Sequence, residues 1–209
     1  MNDDRRVRVR AVDELGEALD KLGVRRERPV LVLVGGAGGM SDDHLALVRD
    51  LLRAAVPVLA EHDAAVVDGG TDVGVMKAMA ELGDGLTLVG VLVEEALGDV
   101  ALAPNHVHLL VPGDSWGDES PWLAEVASVI AGGRGSATLL VNGGEITYAD
   151  AAQSIERGRA VLVVAGTGRT ADAIAGAADG RAADIAASPF TEVVTATELG
   201  AALDHRLRG

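Results

Sequence analysis

A doubly wound, mostly parallel Rossmann-like α/β sheet of about seven strands, with helices on both faces, is the fold this sequence predicts, and three observations predict it. Short Val-rich apolar runs recur at 30–34, 64–68, 87–93, 107–111, 137–141, 160–165 and 192–195. Segments of helical patterning separate them, at 10–24, 42–60, 74–83, 120–131, 148–157, 170–187 and 197–206. Five of the runs break into glycine-rich loops that lead toward a helix. Continuous apolar runs suit strands buried on both faces, and alternation with helices implies parallel pairing through right-handed crossovers. In such a sheet the loops after the strands gather at one edge, where ligands bind.

The elements follow in chain order. Residues 1–28 read as a charged N-terminal segment, part helix and mobile at its start, in which Arg5, Arg6, Arg8 and Arg10 are interleaved with Asp3, Asp4, Asp13 and Glu14. Residues 29–209 read as one ligand-binding domain. The run at 31–34 opens into Gly35-Gly36-Ala37-Gly38-Gly39, after which Ser41, Asp42 and Asp43 place a cap and two carboxylates at a helix start. Pro57 is expected to kink or end that helix. The run at 64–67 leads into Asp68-Gly69-Gly70-Thr71-Asp72-Val73-Gly74. Ser120-Pro121 reads as an N-cap followed by proline in the first turn. Thr147 and Asp150 fit a capping box, which gives Asp150 a purely local role beside its reading as an acid or base.

Composition narrows the function. At 209 residues the chain fits one domain, and with 48% hydrophobic but only 2% aromatic residues its core must be Ala, Val and Leu. The absence of cysteine excludes disulfides and thiolate metal sites. A net charge of −14, with no Lys or Arg between Lys77 and Arg134, argues against nucleic acid. No apolar run approaches the ~20 residues of a membrane span, and the first residues lack a secretory stretch, so a cytoplasmic protein without a membrane partner is expected.

The glycine loops carry the chemistry, because glycine lets backbone amides approach an anion closely. Gly166-Thr167-Gly168-Arg169-Thr170-Ala171 fits the dinucleotide turn, with Arg169 as a charge partner, and a tight structural turn is the competing reading. Gly69 and Gly74 stand at Walker-A spacing, but Val75-Met76 replaces the Lys-Ser/Thr pair. Gly113-Asp114-Ser115-Trp116-Gly117 matches a hydrolase elbow, with His205 later in the chain as a base. His106 and His108 would share a strand face, for hydrogen bonding rather than as a metal site. Glu145 and Asp150 are candidate acid–base carboxylates, and Glu94, Asp114 and Glu145 are candidate acceptors for ligand hydroxyls.

Read together, VVDGGTDVGVMKAMA, LTLVGVLVE, PNHVHLLVPGDSWGDESPWLAEV and LLVNGGEITYADAAQSIERGRAVLVVAGTGRTADAIA resemble the SLOG superfamily over about residues 29–175. The nearest likeness is to its LSDAT subgroup, related to the cytosolic N-terminal region of melastatin-type TRP channels (TRPM). The resemblance implies a ligand sensor that binds ADP-ribose or a relative, needs no cofactor, dimerises and signals through a separate effector protein. It implies phosphate-facing turns at Gly69, Gly70, Thr71 and Gly74 and at Gly166, Gly168 and Arg169; the strand-end loops themselves add Gly35, Gly36, Gly38, Gly39, Val75, His106, Asp114, Ser115 and Trp116 to the candidate ligand site. Asn142, Gly143, Gly144 and Glu145, with Gly166, Thr167, Gly168 and Arg169, complete it. The same superfamily contains LOG enzymes that cleave the ribose–base bond through P-G-G-x-G-T-x-x-E. Here Asn142, Ile146 and Asp150 replace the first Pro, the third Gly and the catalytic Glu. A nucleotide N-glycosidase is therefore the alternative function, and a Ser115 hydrolase the third.

Overall fold

The computed structural model describes residues 5–178 and 180–208. Eight strands form one sheet: β1 (Arg6–Arg8), β2 (Val30–Gly35), β3 (Ala65–Asp68), β4 (Thr87–Val93), β5 (Val107–Val111), β6 (Ser136–Val141), β7 (Ala160–Val164) and β8 (Thr191–Val194). Their spatial order is β1-β5-β4-β3-β2-β6-β7-β8, and every neighbouring pair is parallel. The helices are α1 (Leu15–Lys21), α2 (Asp42–Glu61), α3 (Gly74–Leu82), α4 (Ser120–Ala131), α5 (Glu145–Glu156), α6 (Arg169–Ala175), α7 (Gly180–Ala186) and α8 (Leu199–Leu207). None of them, among the described residues, is long and apolar enough to cross a membrane.

Strand periodicity divides the interior into two cores. Val30, Val32 and Val34 of β2 join Leu15, Leu123 and Ile174 from α1, α4 and α6. Leu31 and Leu33 of the same strand join Leu52, Met79 and Leu203 from α2, α3 and α8 on the opposite face. Each such side chain is worth roughly 1.5–3 kcal/mol of apolar transfer, so the two-sided burial of β2 fixes the layering. β2 also marks the reversal in strand order: the chain goes first to β3 on one side and later to β6 on the other. The loops after β2 and β6 therefore part and leave a crevice at the carboxyl edge.

Several sequence expectations are corrected. Arg6, Val7 and Arg8 are not part of a mobile segment but pair with His108, Leu109 and Leu110 as an edge strand, and Val9 is buried in the first core. The residues before Arg5 lie outside the described part. Pro57 does not end α2, which runs on to Glu61 because Ala55 and Leu59, on either side of the proline, are completely buried. The single helix expected over 170–187 is two, α6 and α7. α5 begins two residues before the expected Thr147 cap: Gly144 is its N-cap, and Thr147 Oγ1 accepts from the Gly144 amide at 3.0 Å. Ser120 lies inside α4, so its hydroxyl does not cap.

Candidate functional site

At the crevice lies a cavity of ≈ 310 Å³. Its floor is apolar: Leu33 and Val34 end β2, Met76 comes from α3 and Leu123 from α4. Val73, Val100, Trp116 and Ile146, all exposed large apolar side chains, also line it. The polar exceptions are Thr71, Glu119, Thr147 and Asp150. No Lys, Arg or His stands among the described residues of the lining.

The two carboxyls are the chemically informative groups. α5 presents Asp150 one and a half turns from its start, where α4 packs against it and Ser120 Oγ donates to Asp150 Oδ1 at 2.6 Å. Burial pushes the Asp150 carboxyl up to about 7, opposed by the Ser120 hydrogen bond and reinforced by the charge of Glu119. Glu119 is likewise raised by burial, although the Gly117 amide donates to its Oε2 at 2.8 Å. A carboxyl poised near neutrality can hold or release a proton under ordinary conditions. The capping role expected for Asp150 is thus displaced by a buried position in the cavity wall, and Glu119 joins it.

Glycine shapes the wall behind. Gly74 has φ +56°, and a Cβ there would come within 2.0 Å of the Gly36 carbonyl oxygen and 2.4 Å of that of Ala37. This close approach lets the Val75 amide donate to Gly36 O at 3.1 Å, fastening the loop after β2 to the start of α3. Thr71 is held by an antiparallel bridge to Leu102, yet its buried Oγ1 has no hydrogen-bond partner.

Of the residues singled out from sequence, Gly35, Gly69, Thr71, Trp116 and Asp150 line the cavity. Gly36, Gly38 and Gly39 belong to the adjoining loop, and Gly70 and Val75 are buried behind it. His106 and His108 do share a face, their ring centroids 6.1 Å apart, but line a separate hollow of ≈ 790 Å³ beyond Val100. His106 Nε2 lies 3.0 Å from Asp68 Oδ2, and Asp68 Oδ1 accepts from the Gly70 amide at 2.8 Å, so this trio braces the loop after β3. Desolvation drives the His108 imidazole down to about 4 and keeps it neutral. Asn142 is buried, its Nδ2 donating to Thr167 O at 2.7 Å and its Oδ1 unpartnered, and it ties the loops after β6 and β7. Gly143 and Gly144 lead into α5 without lining the cavity.

Other candidates stand apart from the cavity. Asp172 of α6 accepts from the Gly166 amide at 2.6 Å and the Gly168 amide at 3.1 Å, so the dinucleotide-like turn already holds an internal carboxylate. Arg169 is exposed and donates to Gly38 O at 3.1 Å, clasping the loop after β2. Glu145 pairs with Arg181, and Glu94 with Arg8. Asp114 and Ser115 are exposed, and Asp118 accepts from both their amides at 2.9 and 3.0 Å. Ser115 and His205 are at opposite edges of the sheet: Ser115 follows β5, whereas the end of α8 meets Gly135 just before β6. The elbow therefore has no base from that histidine.

The comparisons follow the fold. Among solved structures the chain is similar to TM1055, with 22% identity and a TM-score of 0.63 over 85% of this chain and 97% of that one. It is similar to the molybdenum cofactor carrier protein of Chlamydomonas reinhardtii, at 17% identity and a TM-score of 0.63 over 87% and 99% of the two chains. The molybdenum cofactor binding protein of the phototrophic bacterium Rippkaea orientalis matches at 13% and 0.58, over 84% and 94%. Such identities establish a shared fold. No curated protein matches in sequence. The model of the prokaryotic family described as SLOG in TRPM matches residues 28–203, and the chain belongs to that family.

Proposed function

We propose that this chain is a small-molecule binding module whose ligand is nucleotide-derived, ADP-ribose or a related metabolite. The ligand occupies the cavity and crosses onto the glycine loops after β2 and β6. The single observation that carries this reading is the cavity itself, at the point where the strand order reverses, apolar but supplied with four buried oxygen-bearing side chains, Thr71, Glu119, Thr147 and Asp150. Outside the cavity, Arg169 donates to Gly38 O, which puts a guanidinium beside that loop for an outward phosphate. A homodimer, a cytoplasmic setting and a separate effector protein belong to the same reading.

Thermal shift and calorimetry against ADP-ribose, cyclic ADP-ribose, NAD, AMP and the molybdenum cofactor named for two fold neighbours test it. A ligand at 100 times its Kd adds about 2.7 kcal/mol of stability. No stabilisation by any of these at millimolar concentration overturns the proposal.

One observation favours a second reading, N-glycosidase activity: Asp150 is a buried carboxyl held near neutrality in the cavity wall. A protonated Asp150 would donate to the departing base as the ribose–base bond breaks, with water as acceptor of the ribosyl group. Chromatography of free base released from nucleoside monophosphates tests this. Full activity in Asp150→Ala rules the assignment out.

A further inference from the structure

We infer that the cavity takes the ligand's planar nitrogen heterocycle, and that Asp150 and Glu119 select a ring bearing an exocyclic amine. The inference rests on the binding-module reading and deepens it by fixing the ligand's orientation and the class of its base. Three properties of the lining lead there.

Charge comes first. Two buried carboxyls and no Lys, Arg or His line the cavity, so a phosphate placed inside would have no cation to balance its charge. The phosphates therefore face outward and the uncharged end of the ligand faces inward. Shape comes second. Trp116, Ile146, Val73 and Val100 stand exposed on the lining, giving apolar faces against which a flat ring can lie. Polar pairing comes third. Asp150 Oδ1 is taken by the Ser120 hydroxyl, and the Glu119 carboxyl accepts from the Gly117 amide and from its own backbone amide, which leaves Asp150 Oδ2 as the carboxyl oxygen with no hydrogen bond among the described residues. Thr71 Oγ1 is buried and unpartnered on the same lining. These oxygens call for N–H donors. An amine next to a ring nitrogen supplies two donors and one acceptor in one plane, and the protonated form of Asp150 can donate to that ring nitrogen while Glu119 accepts from the amine.

The test is calorimetric titration of the full chain with AMP, with the 2-amino isomer of AMP, and with purine riboside 5′-monophosphate, which lacks the amine. At least one of the two amine-bearing compounds is expected to bind tenfold or more tightly than purine riboside 5′-monophosphate, because losing the amine leaves buried acceptors unpaired. The preference is expected to fall toward unity in Asp150→Ala and Glu119→Leu and to survive in Asp150→Asn, whose amide still donates and accepts. A purely structural role for the carboxyls would change overall affinity and leave that ratio untouched. If all three compounds bind the wild-type protein equally, the selection is overturned while the binding-module reading stands. If none of the three binds while ADP-ribose does, the selection alone is overturned; if ADP-ribose and the other ligands named above fail too, both fall. Should Asp150→Ala not fold, the wild-type ratio and Glu119→Leu still decide.

Discussion

Replacing Asp150 by asparagine isolates the energetic cost of placing a carboxyl in the cavity wall. In the unfolded chain this group ionises near its ordinary value of 3.8; in the folded protein, burial raises it to about 7. A folded-state pKa above the unfolded one favours the protonated form, so the cost vanishes only well below pH 3.8, where both states keep the proton, and is still small at pH 4. As pH rises from 4 to 7 the unfolded chain releases its proton and the folded protein does not, and stability falls. Each unit corresponds to 1.36 kcal/mol, so the gap of about three units gives an upper limit of roughly 4 kcal/mol above pH 7. The amide of the Asp150→Asn variant keeps an acceptor for the Ser120 hydroxyl and does not ionise, so the variant escapes this loss. Glu119 titrates in both proteins and largely cancels in the difference. Urea unfolding of wild type and Asp150→Asn at pH 4, 6 and 8 measures the effect: the advantage of the variant should grow with pH and level off above 7. A stability difference that stays constant from pH 4 to 8 would refute the claim that Asp150 is held protonated by its surroundings.

Gly74→Ala places a Cβ against two carbonyl oxygens in left-handed backbone, so it should cost more than about 2 kcal/mol in denaturant unfolding. Asp172→Ala removes the acceptor for the Gly166 and Gly168 amides and should cost about 1–2 kcal/mol, read as a lower urea midpoint with an unchanged slope. Asp68→Ala leaves the Gly70 amide and His106 Nε2 without their buried partner, and should lower stability by about 2–4 kcal/mol. Fluorophosphonate probes should leave Ser115 unlabelled, since His205 lies at the far edge of the sheet; labelling lost in Ser115→Ala would contradict this.

Much of the scaffold was legible because strands buried on both faces need uninterrupted apolar runs, and β2, β4 and β6 have them. β1 was not: Arg6-Val7-Arg8 is an edge strand, and its outward arginines hide the pattern behind the charge of the first ten residues. The glycine loops pointed to the right edge, but not to which of them face the cavity. Asp172 reads as an ordinary first-turn acid of α6, and only the folded chain shows that it occupies the Gly166 and Gly168 amides, which the glycine spacing alone would offer to a ligand. Asp150 looked like a capping residue because it follows Thr147 by three. Its burial depends on α4 packing across α5, a contact between residues 30 apart that no local pattern encodes. Glu119 was missed for the same reason, its acid resembling a helix-start charge beside Ser120-Pro121.

The edge strand has a temporal consequence. β1 precedes every other strand of the sheet, yet its partner β5 begins at Val107, on the far side of β2, β3 and β4 in the sequence. Arg6–Arg8 must wait through about 100 residues of growing chain before the hydrogen bonds of that edge can form. Until then Val9 has no finished core to enter, and the charges that flank it keep the waiting segment from pairing with another chain. The first strand of the sheet is thus among the last to find its place.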